Sequence, residues 1–300
     1  MQSMQALIEN ATAFEPKTLA VAVAEDDAVM AAVEKARHKG IINGALYGDQ
    51  NSIKQTLKTI GANPQDYTIV HAKDNETACK LAVQSVSQGR CDFLMKGLVD
   101  TSVILKAALD KHEGLRTKNR LSHVSVMELA NYHKLLFMSD GAMNIAPDVE
   151  EKKEIIDNAV SIARASGISK PAVGLIAAVE KVNPKMPVTQ HAEALVSHYQ
   201  NCETCQVDGP FGLDNAIDKE AADHKGIKSP IAGNVDILLM PMIEAGNVFY
   251  KSMMFLANAK SASVIAGAKK PIVLTSRADS MDTKYHSIAL GALVVQGQSK

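Results

Sequence analysis

The sequence predicts an α/β protein of two α/β domains with largely parallel sheets, and three observations carry that expectation. Short, nearly continuous apolar runs recur along the chain, which is the pattern of strands buried on both faces. Amphipathic stretches of helical length separate them. At 300 residues the chain is about twice the common domain size, which favours two domains over one.

The apolar runs are, in order, "TLAVAVA", "IINGALYG", "YTIVHA", "CDFLMKG", "KLLFMSD", "AVGLIAAV", "CQVDGPF", "VDILLMPMI", "SASVIAG" and "PIVLTS". Between the first two lies "EDDAVMAAVEKARHKG", where Val29, Ala32, Val33 and Ala36 share one helical face and Gly40 suits the terminator. Parallel strands joined by such a helix need a right-handed crossover, so repetition of the unit makes a layered α/β fold. The domain boundary is expected after "KLLFMSD", where "GAMNIAPDVEEKKEI" inserts a polar loop and Asp148 and Glu151 stand at capping-box spacing. Residues 1–137 with 265–300 then form a discontinuous first domain and 138–264 the second. The final helix, "MDTKYHSIALGALVVQ", is compatible with either.

Composition excludes several function classes. Lys plus Arg number 32 against 33 Asp plus Glu, a net charge of −1, so no broad electrostatic footprint for nucleic acid or an anionic membrane is expected. No apolar run reaches the roughly 18 residues a membrane span requires. The opening lacks the basic and apolar regions of a signal peptide, and the cytoplasm is the expected compartment. Four cysteines do not make a disulfide framework, and "CETC" at 202–205 has no second ligand pair for a metal, so it reads as ordinary packing.

The familiar nucleotide, hydrolase and metalloprotease motifs are absent, which leaves polar clusters at the carboxyl ends of expected strands, where open α/β sheets place their ligands. Lys96 and Gly97 lead into Thr101 and Ser102 at a helix start, which reads either as an anion seat or as a capped helix beside a solvated lysine. Asp140 closes "KLLFMSD" and Asn144 follows in "GAMN", as loop polars or site polars. Ser229 and Pro230 precede a strand that ends at Gly246 and Asn247, with Asn247 expected as an N-cap and Lys251 one turn further on. Gly, helix N-terminus and Lys together suit a phosphate. Ser276 offers a hydroxyl, Arg277 a planar fork matched to phosphate oxygens, and Asp282 a base.

In order and spacing these clusters resemble the phosphate acetyl/butyryltransferase family over nearly the whole chain. "KSPIAGNVDILLMPMIEAGNVFYKSMMF" is similar to its Ser-Pro-x-Ala-Gly and Gly-Asn-x-x-Tyr-Lys segments, and "PIVLTSRADS" to its Ser-Arg motif; "QVDGPFGLDNAI" and "SDGAMNIAPD" resemble two further blocks. The resemblance implies two domains of the isocitrate/isopropylmalate dehydrogenase-like fold with the active site in the interdomain cleft, and a homodimer or higher homo-oligomer. The implied reaction is reversible transfer of a short-chain acyl group between coenzyme A, itself a substrate, and inorganic phosphate, with no resident cofactor or metal. In family terms Ser276 hydrogen-bonds the reacting group, Arg277 holds phosphate and Asp282 accepts the thiol proton. Lys96, Thr101, Lys106, Asn144, Ser229, Gly246, Asn247 and Lys251 are the substrate-binding set. Asp100 stands where the acetyl branch has His, Lys106 near its Arg, and Ala278-Asp279 replace Gly-Cys, all of which favour the butyryl branch. A thiolate attacking an acyl phosphate creates an oxyanion and a departing phosphate, and donors placed there lower the barrier. Serine without an activating base is not a nucleophile, so direct transfer in a ternary complex is expected. The alternatives are a phosphate acetyltransferase, a non-catalytic acyl-CoA sensing domain and a decarboxylating dehydrogenase; the last would need a concentration of Asp and Arg that the chain lacks.

Overall fold

The structure is a computed structural model and describes residues 2–276 and 278–298. Its strands are β1 (Lys17–Ala22), β2 (Ile42–Gly48), β3 (Thr68–His71), β4 (Phe93–Lys96), β5 (Ser122–Glu128), β6 (Leu136–Ser139), β7 (Ala172–Ile176), β8 (Gln206–Phe211), β9 (Ile237–Leu239), β10 (Lys260–Ala266) and β11 (Ile272–Val273). Its α-helices are α1 (Met4–Thr12), α2 (Asp27–His38), α3 (Gln50–Thr59), α4 (Asn75–Ser87), α5 (Thr101–Ala108), α6 (Val149–Ala165), α7 (Pro187–Tyr199), α8 (Leu213–Ile217), α9 (Lys219–His224), α10 (Ile243–Phe255) and α11 (Met281–Gln298).

Two compact units divide the chain, Gln5–Asn119 with the chain from Ala262 onward, and Arg120–Ser261 with its first few residues. The divisions fall at 119/120 and 261/262, where the sequence reading set 137/138 and 264/265.

In the unit around Gln5–Asn119 the strand order is β3-β2-β1-β4-β11-β10. β1, β2, β3, β4 and β11 run parallel, and β10 returns antiparallel to β11. Leu19, Ala20, Val21 and Ala22 of β1 are wholly buried, as a continuous apolar strand covered on both faces should be. α2 buries Val29, Ala32, Val33 and Ala36, the face expected from their spacing. Its N-cap Asp26 accepts a bond from the Val29 N–H at 2.7 Å, and Gly40 follows it at φ +72°. Asp49 and Asp74 cap α3 and α4 in the same way. α11 belongs to this unit and is buried around its whole circumference from Thr283 to Val295. A Cβ on its Gly291 would stand 2.7 Å from the Phe93 ring, so glycine is what lets this helix settle on β4.

In the unit around Arg120–Ser261 the order is β5-β6-β9-β7-β8. β6, β9, β7 and β8 are parallel, and β5 pairs antiparallel with β6 through Val126 opposite Phe137. Its core gathers Met127, Leu136, Met138, Phe211, Val235 and Leu238; each such side chain fully buried contributes about 1.5 to 3 kcal/mol. The expected capping box at α6 is present in full: Glu151 N–H donates to Asp148 at 2.8 Å and Asp148 N–H to Glu151 at 3.0 Å. β5 is absent from the sequence expectation because "SHVSVME" interleaves polar residues. They are nonetheless buried with partners: Asn158 donates to the Ser122 hydroxyl, and the Ser139 hydroxyl to the His123 carbonyl. No helix among the described residues is long and apolar enough to cross a membrane.

Candidate functional site

In the first unit the site residues stand on the tips of neighbouring parallel strands. β11 lies beside β4 with Val273 opposite Met95, so the chain leaving β11 toward Ser276 starts alongside Lys96 and Gly97. Gly97 is held against the tip of β1, its N–H donating to the Ala22 carbonyl at 2.8 Å. A Cβ there would stand 2.1 Å from the Val23 carbonyl oxygen, so only glycine permits this approach. Lys96 is not the solvated lysine of one reading. It is 5% exposed and its ammonium donates to the Gly97 and Val99 carbonyls at 3.3 and 3.1 Å. Asp100 takes the N-cap position of α5, and Thr101 follows as an exposed first helical residue. Lys106, in the last turn, lines an open pocket of about 470 Å³ with Glu76, Lys80 and Asp110.

Ser276 is exposed at the head of a tight loop. Its N–H donates to the Asp279 carboxylate at 2.7 Å and its hydroxyl oxygen accepts from the Ala278 N–H at 3.3 Å. The loop is fastened from below by Lys284, a buried lysine of α11 whose ammonium donates to the Asp279 carbonyl and, at 3.5 Å, to that of Ser276. Sequence reasoning missed Lys284. The available signal was a lysine immediately before the largely apolar stretch "YHSIALGALVV", one turn after Ser280. Arg277 lies outside the described residues. Asp282 sits in the first turn of α11, exposed, and pairs with Lys35 of α2 at 2.7 Å. That hydrogen bond holds its carboxyl below the ordinary carboxylate value.

In the second unit the tip of β6 is closed by an internal network. The buried Asp140 carboxylate accepts from the N–H groups of His123, Ala142 and Met143 and from the Asn144 amide at 2.6 Å. Asn144 also donates to the Leu121 carbonyl and accepts from Arg120 at 3.2 Å. Arg120 in turn pairs with Glu151. Asn144 is therefore engaged through both its nitrogen and its oxygen.

One expectation is corrected. Asn247 is not an N-cap: α10 starts at Ile243 with Met242 at the cap position, and Gly246 and Asn247 fall inside the helix. Gly246 does allow close approach, and what approaches it is backbone of this chain. A Cβ there would stand 2.4 Å from the Asp140 carbonyl oxygen, and one on Gly141 would stand 2.8 Å from the Gly246 carbonyl carbon. Asn247 spans the same contact by donating to the Gly141 carbonyl at 3.2 Å. Lys251 is exposed one helical turn beyond Asn247, on the same face. Ser229 stands apart from these: it lines an open pocket of about 580 Å³ with Glu180, Asp208 and Phe211, which none of Asn144, Gly246, Asn247 or Lys251 lines. Among the described residues no cluster of three or more His, Cys, Asp or Glu could hold a metal.

Residues 75–292 match the family model described as phosphate acetyl/butaryl transferase. A phosphate butyryltransferase of Clostridium acetobutylicum is 44% identical over 296 residues, 98% of each chain. A phosphate acetyltransferase of Thermotoga maritima is 45% identical over 279 residues, covering 92% of this chain and 95% of its own. The solved structure of a branched-chain phosphotransacylase from Enterococcus faecalis V583 superposes with a TM-score of 0.84 at 33% identity, over 93% of this chain and 99% of that one.

Proposed function

The chain belongs to the phosphate acetyl/butaryl transferase family, and from that premise we propose that it transfers a short-chain acyl group, butyryl foremost, reversibly between coenzyme A and inorganic phosphate. One observation carries the proposal at residue level: parallel strands β4 and β11 set the exposed Ser276 hydroxyl and the Lys96–Thr101 turn on adjacent tips of one sheet. In the direction of thioester formation the thiolate sulfur attacks the acyl-phosphate carbonyl, the C–O bond to phosphate breaks, and the phosphate departs with the electron pair. Ser276 donates to the oxyanion and Arg277 holds the phosphate. Asp282, kept ionised by Lys35, accepts the thiol proton as a weak base. Alignment of two bound substrates supplies much of the rate, and no covalent acyl-enzyme is required. Both reacting electron pairs belong to the substrates, so the scheme calls on no resident cofactor.

The isocitrate/isopropylmalate dehydrogenase-like arrangement implied by the resemblance is part of this proposal. So is the use of both units in one turnover, with Gly246, Asn247 and Lys251 serving the same reaction as Ser276. We also propose that the chain works in the cytoplasm as a homodimer or higher oligomer. α10 supports association, since Val248, Phe255 and the adjoining Leu256 are 66, 75 and 85% exposed, a cluster that suits an interface better than water. Light scattering of the wild type and of Phe255→Glu tests this, and a wild-type monomer would end it.

Protein mixed with butyryl-CoA and phosphate should release free thiol in a phosphate-dependent way, followed with a chromogenic thiol reagent. Absence of thiol release would leave the acyl-CoA sensing alternative. A second reading, acetyl transfer, is favoured by the Thermotoga maritima relative, whose 45% identity equals that of the butyryl relative within one percentage point. A methylene is worth about 1 to 3 kcal/mol in an apolar pocket, so a rate series from acetyl-CoA to hexanoyl-CoA separates the two readings.

A further inference from the structure

The sequence reading took "CETC" for packing, and the fold gives it a more definite geometry. Cys202 and Cys205 occupy the turn between α7 and β8, their sulfurs 3.2 Å apart. The turn is tied at both ends: the Cys202 N–H donates to the Tyr199 carbonyl at 2.9 Å, and Gln206, just after Cys205, donates to the Pro171 carbonyl at 3.0 Å. The two thiols differ. Cys202 is half-buried and its sulfur lies 3.3 Å from the Thr204 hydroxyl, whereas Cys205 is 2% exposed. We propose that Cys202 and Cys205 form a reversible dithiol–disulfide site that exchanges with low-molecular-weight disulfides, Cys202 attacking and Cys205 resolving.

The sulfurs need to approach by only about 1.2 Å to reach the bonded distance of about 2.0 Å. In the first step the Cys202 thiolate bonds to one sulfur of the small disulfide, whose second sulfur leaves as a thiolate. Cys205 then loses its proton to solvent and attacks the Cys202 sulfur, expelling the other small thiol. The two protein thiols are oxidised to one disulfide, and the small disulfide is reduced to two thiols. The asymmetry matches these roles. Burial alone would raise the Cys202 thiol, but bonds from the Thr204 hydroxyl, the Cys205 thiol and the backbone N–H groups of Thr204 and Cys205 hold it below the ordinary thiol value. Burial, with the bond to Cys202, pushes Cys205 up to about 12. A lower-pKa, accessible thiol beside a buried one is the arrangement in which attack and resolution fall to different sulfurs. The remaining cysteines, Cys79 and Cys91, are both buried.

The test is intact-mass analysis of the full chain after exposure to glutathione disulfide. The wild type should lose the mass of two hydrogens, carry no glutathione, map the new bond to Cys202–Cys205 and recover on reduction. Cys205→Ser and, as a second variant, Cys205→Ala should each retain one glutathione on Cys202, and Cys202→Ser should retain none. Iodoacetamide should modify Cys202 at least about tenfold faster than Cys205 in the folded protein. A wild type that keeps all four thiols free, or that keeps glutathione on Cys202 with Cys205 intact, overturns the proposal; the wild-type result does not depend on how well any variant folds.

Discussion

The loop after β11 and the loop after β6 begin alike, each leaving a buried strand at its carboxyl tip, and end in opposite conditions. After β6, Asp140 collects four donors, Asn144 is bonded through both polar ends, and Gly141 and Gly246 press backbone on backbone. Little hydrogen-bonding capacity is left for a ligand. After β11 the Ser276 N–H donates to the loop's own Asp279 carboxylate, Lys284 donates to the loop backbone from below, and Ser276 stays exposed. One tip uses its polar groups to fix the chain; the other is anchored by the buried Lys284 and leaves a hydroxyl-bearing residue accessible. Counting polar residues at strand ends does not distinguish these conditions, whereas asking which polar atoms are already bonded does.

The largest effect should come from the glycines that lock the tips. Gly97→Ala sets a Cβ 2.1 Å from a backbone oxygen and Gly246→Ala one at 2.4 Å. Neither neighbour is a flexible side-chain end, so each should cost about 3 kcal/mol or more in urea unfolding. A loss below about 1 kcal/mol at either position would break the picture of interlocked backbones.

The two loops also differ in the buried lysines near them. Lys284 meets carbonyls, but Lys152 of α6 meets the His191 imidazole nitrogen at 3.0 Å and is 3% exposed. Burial depresses its pKa to about 8. Between about 8 and the ordinary lysine value of about 10.5 the unfolded chain binds the extra proton. The penalty is therefore fully present below pH 8 and is relieved as pH rises toward 10.5. It is on the order of 3 kcal/mol at most. Lys152→Met should stabilise the protein by about 1 to 2 kcal/mol at pH 7, after loss of the His191 contact is offset, with the gain fading above pH 8. A gain that grows with pH would contradict this.

Lys284→Met should lower kcat about tenfold with little change in the KM for butyryl-CoA, because a charged hydrogen bond of about 1.5 to 3 kcal/mol positions the Ser276 loop. Unchanged kcat would mean that the loop holds without it. Asp282→Asn should have the smallest effect, a few-fold in kcat, since a carboxylate held ionised by Lys35 is a weak base. A loss beyond about a hundredfold would assign it a larger part of the barrier.

Much of this was legible in the sequence. All ten apolar runs contain strands, the face of α2 is the one its spacing marks, and Asp148 with Glu151 forms the box their separation suggests. These features depend on local pattern. β5 was not legible because its polar residues are buried, and Ser122 is satisfied by Asn158, a partner 36 residues away that no local window contains. The start of α10 was misread for a related reason: Gly246 and Asn247 answer to a backbone more than a hundred residues away, not to a helix start in their own segment. At the candidate site the Ser276 motif was visible from its residues, while the buried lysine beneath it depends on how α11 packs.

The most direct test is Ser276→Ala, assayed with butyryl-CoA and phosphate alongside thermal unfolding. The account predicts at least a tenfold fall in kcat, about 1.4 kcal/mol of transition-state stabilisation, with an unchanged melting temperature because the hydroxyl is exposed. An unchanged kcat, or a melting temperature that falls together with activity, would contradict it.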